Sequence, residues 1–322
     1  LVSEGTEGKT MLNIDFDRLM TIRVNPAEAL AIISESATKG FPEKRAREFL
    51  DDHWYFVCQM SIIYFFVIFG IKFIMRNRQA FDLQRPLNLW NLILAVFSTG
   101  GAIFMAGDFF GVLINKGFRA SYCDLDGMMK GTNGFWMWIF MLSKLFEFTD
   151  TVFIVLRKKP LMFLHWYHHI LTLLYGVYSY PGSPAYNRWG VYLNFLVHSF
   201  MYSYYFLRSI RVPIPGAVAK AITSGQILQF VLSILVLVCI GVEHYILGTT
   251  GDCELDMKSF WFACFMDLTY LVLFVNFFLH AYVFKGGKDK YKKINGEAKN
   301  GSVKNGSASN GTAKNRSAKK DN

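Results

Sequence analysis

Cysteine is scarce in this chain. Five in 322 residues are too few for a disulfide scaffold. No cleavable signal peptide is visible near the start, and because the chain opens at Leu1 and not at Met its true start is expected upstream. Asp and Glu are sparse inside the apolar runs, and histidine numbers only seven. The net charge is +10, yet the basic residues fall in loops and in the C-terminal tail. They do not gather on one face of a folded domain, which argues against a nucleic-acid partner.

What the chain has instead is length in apolar runs. Hydrophobic residues make up 52% and the mean hydropathy is +0.25. Seven runs of about twenty residues suit a hydrocarbon core roughly 30 Å thick. They cover residues 54–75, 87–106, 134–156, 161–180, 189–207, 217–242 and 260–284. This predicts an all-α polytopic membrane protein with seven transmembrane helices. Trp54, Trp90, Trp136, Trp138, Trp189 and Trp261 lie in these spans, most near an end, as interfacial aromatics do.

Lys and Arg sort between alternate loops, nineteen against five. The rich set is Arg76, Arg78 and Arg85, then Arg157, Lys158 and Lys159, then Arg208 and Arg211, then the tail. The poor set is Lys116, Arg119, Lys130, Arg188 and Lys258. Positive-inside bias assigns the rich set to the cytosol, so seven crossings leave the N-terminus lumenal and the C-terminus cytosolic. The expected organisation is a lumenal segment over 1–53, a membrane domain over 54–284 and a disordered basic cytosolic tail over 285–322. In the first segment Asn25-Pro26 reads as a helix cap and first turn. The tail carries sequons at Asn300, Asn305, Asn310 and Asn315, expected to stay unmodified on the cytosolic side. Lys319 and Lys320 resemble a dilysine retrieval signal for the endoplasmic reticulum. Cys58, Cys239 and Cys264 read as small core residues. Cys123 and Cys253 both fall in loops assigned to the lumen, where they are predicted to pair; two unrelated free thiols are the alternative.

Polar side chains then converge at one depth. His165, His168 and His169 follow i, i+3, i+4 in an apolar run, so they share a helical face. Lys144, Glu147, Asp150 and Thr151 make a second stripe; Asn194, His198, Tyr202 and Tyr205 make a third; Thr223, Gln226 and Gln229 make a fourth. Ionisable groups at membrane depth mark sites. Phe230 to Val242 is nearly all apolar. The layout suits a polar chamber open to the cytosol with a greasy channel behind it, and a ligand with a charged head and a long hydrocarbon tail. Plainer readings stand beside this: Lys144 with Glu147 or Asp150 as a buried ion network, the tyrosines as core or interface aromatics, and His198, His244 and His280 as satisfied core residues.

Two chemistries compete for the histidines. A His-x-x-His-His box occurs in membrane di-iron desaturases and hydroxylases, but those need about eight histidines in three clusters, and no second cluster exists here. Alternatively, imidazole serves as nucleophile and general acid/base on an acyl thioester. A non-enzymatic seven-span receptor or lipid carrier is the further alternative.

Four ordered motifs carry a resemblance over about residues 50–285. They are Lys144-Leu-Phe-Glu147-Phe-Thr-Asp150-Thr151, His165-Trp-Tyr-His168-His169, Asn194-Phe-Leu-Val-His198-Ser-Phe-Met201-Tyr202-Ser-Tyr204-Tyr205 and Thr223-Ser-Gly-Gln226-Ile-Leu-Gln229. The sequence resembles the fatty acid elongases of the very-long-chain 3-ketoacyl-CoA synthase (ELO) family. The resemblance implies six helices surrounding an acyl tunnel, with the seventh outside. It implies an acyltransferase condensing acyl-CoA with malonyl-CoA to 3-ketoacyl-CoA, CO2 and CoA, without metal or redox cofactor. By that resemblance His168 would carry the acyl group and His198 would assist decarboxylation. His165, His169, Lys144, Glu147, Asp150, Asn194 and Gln226 would orient and polarise. Arg157, Lys158, Lys159, Arg208 and Arg211, with Tyr202 and Tyr205, are the candidate CoA contacts, although the basic residues could simply set topology. Other elongation-cycle enzymes and a second copy of the chain stay open as partners.

Overall fold

The computed structural model describes residues 25–284; the tail with its sequons, Lys319 and Lys320 lies outside them. Every regular element among the described residues is helical. Two short helices lead, α1 (Pro26–Thr38) and α2 (Glu43–Asp52). Asn25 caps α1 by accepting from the Glu28 amide at 3.3 Å, and Pro26 opens its first turn, as the sequence suggests. Then come α3 (Trp54–Ile74), α4 (Gln84–Asn115), a single turn α5 (Ala120–Cys123), α6 (Gly131–Phe146), α7 (Phe148–Leu156), α8 (Phe163–Ser179), α9 (Asn187–Ser209), α10 (Gly216–Val242) and α11 (Met257–Phe278).

Four helical stretches are long and apolar enough to cross a bilayer: Trp54–Asn77, Gln84–Asn115, Gly216–Leu247 and Met257–Val283. They wear their apolar residues outward. On α11, Trp261, Phe265, Leu268 and Val272 are all more than half exposed and share one face at helical spacing. Such a stripe suits lipid and not water. Four of the seven expected spans are seen as such stretches; the other three are built differently. Residues 134–156 form two helices, because the chain breaks at Glu147. Helix α8 has only 17 residues, and α9 carries buried Asn187, Arg188, Asn194 and His198. These helices face protein and spend their length on polar contacts. Trp138 and Trp189 are buried, whereas Trp261 is exposed.

The described residues up to Val275 form one compact unit. Within it the most extensive packing is α9 along α4. Gly101 permits this approach, since any side chain there would run into the Phe195 ring. Helix α9 also packs on α10, α4 on α6, and α6 on α8. Helix α11 joins α10 through Tyr270 against Phe230, and α8 through the hydrogen bond from Tyr270 to the His168 carbonyl. These contacts form a cycle, α4–α9–α10–α11–α8–α6, with α3 packed outside it on α7 and α8. The unit beginning at Asn276 holds the last turn of α11 and a π turn (Leu279–Val283), where His280 Nδ1 donates to the Asn276 carbonyl at 2.9 Å.

The two ends of the first unit differ. At one end loops are stitched together. Cys123 and Cys253 are bonded, with Cα atoms 4.5 Å apart. Arg119 donates to Glu243 at 3.0 Å and Asp252 at 2.9 Å, and its guanidinium holds the Asp252 carboxyl below the ordinary carboxylate range. Fully buried Arg188 pairs with Asp108 at 2.8 Å and donates to the carbonyls of Ser121, Asp124 and Leu125, each at 2.9 Å. The other end gathers cations. Arg76, Arg78, Arg85, Arg157, Lys158, Lys159, Arg208 and Arg211 form no ion pair among the described residues.

Candidate active site

Helix α8 begins at the cation-rich end, and its first two turns bring three histidines together. The His165 and His169 rings are 4.5 Å apart and the His168 and His169 rings 5.6 Å apart. His169 is buried and the other two are half-buried. The i, i+3, i+4 spacing is the local cause. His165 Nε2 lies 2.9 Å from Thr151 Oγ1, and that hydroxyl lies 2.6 Å from Tyr64 OH. The imidazole is thereby tied to α7 and α3.

A second chain of contacts comes from α6 and α9. Lys144 Nζ donates to Glu147 Oε1 at 2.8 Å and to Asn194 Oδ1 at 3.0 Å, and sits 4.2 Å from the Phe140 ring centroid. Ser143 Oγ donates to the same Glu147 oxygen at 3.2 Å. The Asn194 amide nitrogen is 3.4 Å from His198 Nε2. All four of Lys144, Glu147, Asn194 and His198 are buried. Lys144 and Glu147 pair at helical spacing, and the expected single stripe divides in two. Lys144 and Glu147 stay with α9, while Asp150 accepts from Trp90 Nε1 and from Tyr202 OH, the latter at 2.8 Å.

The remaining site candidates separate. Tyr202, expected at the CoA entrance, is 2% exposed and turned inward on Asp150, with its ring 5.3 Å from that of His198. Gln226 does not join the histidines; its amide reaches Met201 Sδ at 3.3 Å. Tyr205 is exposed and packs on Tyr202 and Tyr204. Arg157 donates to Gln84, which donates to the Ser209 carbonyl at 2.6 Å. Lys158 holds the carbonyls of Arg76 and Arg78 at 3.3 and 3.0 Å. Lys159, Arg208 and Arg211 are exposed nearby in sequence. A groove beside this collar is lined by Phe73, Ile74, Arg76, Asn77 and Arg78.

The half of the unit expected to be greasy is not uniformly so. Tyr175 donates to Asn187 at 2.6 Å, Asn187 to Ser179 at 3.1 Å, and Asp267 is buried on α11. Sequence reasoning also missed Tyr64, Trp90 and Tyr270. Each is an aromatic in an apolar run, and its partner is a long way off in sequence.

The site is thus a polar, histidine-rich centre on helices α6, α8 and α9. The GNS1/SUR4 (ELO) family model matches residues 49–290. The chain belongs to this family. It is 53% identical over 278 residues to Long chain fatty acid elongase 1 of Caenorhabditis elegans, covering 86% of this chain and 95% of that protein. It is 40% identical to Very long chain fatty acid elongase 6 of Drosophila melanogaster, covering 77% and 78%. It is 36% identical to Very long chain fatty acid elongase 3 of Homo sapiens, covering 77% and 91%. The chain is a membrane protein, with four helical stretches long and apolar enough to cross a bilayer among the described residues.

Proposed function

We propose that this protein is a condensing enzyme of fatty acid elongation, an acyltransferase that joins a long-chain acyl-CoA to malonyl-CoA. The observation that carries the reading is the three-histidine face of α8 beside the Lys144–Asn194–His198 chain, within a helical unit with apolar outer faces. The names of the relatives support it at the level of elongation.

In this reading an unprotonated nitrogen of His168 attacks the acyl thioester. The C–N bond forms, the C–S bond breaks, and CoA leaves as the thiol with the imidazole proton. Malonyl-CoA then loses CO2, and the electron pair of that C–C bond becomes the enolate carbon nucleophile. It attacks the acyl-imidazole; the C–N bond breaks, and the ring takes a proton from solution. Decarboxylation supplies the carbanion without a strong base, so no metal or redox cofactor is required. His198, oriented by Asn194 and through it by Lys144, stabilises the enolate. His165 and His169 brace the box, Glu147 fixes Lys144, and Asp150 fixes Tyr202. Gln226 acts only on a bound substrate, because its amide is turned to Met201 here.

The unpaired cations Arg76, Arg78, Arg157, Lys158, Lys159, Arg208 and Arg211 form the entrance for CoA phosphates, with Tyr205 at its rim. The cycle of α4, α9, α10, α11, α8 and α6 encloses the acyl channel, and α3 completes seven crossings. The cation-rich end then lies in the cytosol, with the N-terminus in the lumen of the endoplasmic reticulum.

Microsomes containing the full chain should incorporate labelled malonyl-CoA into 3-ketoacyl-CoA when given an acyl-CoA. His168→Ala should abolish incorporation while the protein still accumulates in the membrane. Full activity in that variant refutes the covalent role, and a wild type that accumulates without turnover favours the lipid-carrier reading.

A further inference from the structure

Helix α11 lies outside the four motifs, yet it grips the turn of α8 that bears His168. Tyr270 is 1% exposed. Its hydroxyl donates to the His168 carbonyl at 3.0 Å and lies 2.9 Å from Thr172 Oγ1. A phenol has one proton. Because that proton goes to the His168 carbonyl, the Thr172 hydroxyl must donate to Tyr270. The direction is therefore fixed: Thr172 O–H to Tyr270 O–H to the carbonyl of His168. The same carbonyl accepts the Thr172 amide in the α-helical pattern, so its second lone pair serves the phenol. The preceding residues repeat the link. Tyr167 OH donates to Thr269 Oγ1 at 3.3 Å. The Tyr270 ring then forms a wall for the imidazole, with centroids 4.8 Å apart, and Phe274 stands behind at 6.3 Å.

We infer that Tyr270 is a positioning residue for His168, holding its backbone turn and its ring where the acyl thioester must be attacked. Thr172 sets the direction of the phenol proton. This rests on the covalent reading above, because only a nucleophilic His168 gains from such restraint. A near-attack geometry tolerates little displacement, and misplacing one reacting atom lowers the rate of the step it belongs to. The effect belongs to acyl transfer onto the enzyme, not to malonyl decarboxylation.

The test is a half-reaction in detergent or nanodiscs with the full chain. Palmitoyl-, stearoyl- or oleoyl-CoA, whichever the wild type turns over fastest, is mixed without malonyl-CoA, and the burst of free CoA is followed with a thiol reagent. Tyr270→Phe keeps the ring and loses the hydroxyl. The burst rate should fall roughly five- to tenfold, the worth of one buried hydrogen bond. The KM values for acyl-CoA and malonyl-CoA should stay within about twofold, since uniform binding is untouched. Thr172→Val should slow the burst less, Thr172→Ser should restore it, and the double variant should be no slower than Tyr270→Phe alone. These threonine variants decide the matter if Tyr270→Phe fails to fold. A normal burst in Tyr270→Phe overturns this proposal alone. Equal slowing of both half-reactions together with a lowered melting temperature also overturns it, leaving only a structural role. A wild type without any burst overturns the covalent reading and this proposal with it.

Discussion

Lys144 separates a structural ion pair from a working one. Its side chain is 4% exposed and that of Glu147 3%, at a separation of 2.8 Å. Lys144→Met removes the cation and leaves the carboxylate buried with only the Ser143 hydroxyl for company. Breaking a buried pair from one side costs about 3–5 kcal/mol. For a unit of this size that lowers the melting temperature by roughly 6–20 °C, at about 2–4 °C per kcal/mol. Lys144→Met/Glu147→Gln leaves no orphan charge, so most of that loss should return. Activity should not return with it. Lys144 is also the donor to Asn194, which contacts His198. In the proposed reaction, losing an oriented charge beside the developing enolate costs on the order of a hundredfold or more in kcat. The assay is a thermal melt of the detergent-solubilised chain beside malonyl-CoA incorporation for both variants. A double variant with wild-type turnover would make Lys144 a structural residue only. A single variant with an unchanged melt would refute the energetic argument itself.

Arg188 offers a purely structural counterpart. Arg188→Leu leaves Asp108 and three carbonyls without their partner, so a loss of about 3–5 kcal/mol or more is expected in the same melt. Asp108→Asn, which spares the carbonyl bonds, should cost much less. Cys123→Ser/Cys253→Ser opens a loop of 130 residues. The chain-entropy model assigns such a loop about 5 kcal/mol, and the double variant should melt lower by a comparable amount without moving the KM for acyl-CoA. Unchanged melting in either case would contradict the tight junction described at that end.

Helical periodicity is local, so it was legible without coordinates. Residues three and four apart share a face whatever surrounds them. That is why the His165, His168 and His169 cluster, the Asn194–His198 contact and the Lys144–Glu147 contact could be read from spacing alone. The cap at Asn25 and Pro26 was legible for the same reason. The interruption at Glu147 was not, because no Gly or Pro marks it. Helices α8 and α9 carry buried polar residues, among them His169, Asn187, Arg188, Asn194 and His198.

Sequence alone determined the helical class, the membrane setting and the faces that the polar residues share. Each follows from composition or from separations of a few residues. Tertiary structure decided which faces meet. Tyr64 reaches Thr151 across 87 residues, Trp90 reaches Asp150 across 60, and Tyr270 reaches His168 across 102. An aromatic in an apolar run looks the same whether its hydroxyl or indole N–H finds headgroups or a buried carboxylate. Only packing settles that, because a hydrogen bond depends on distance in space and not on separation along the chain.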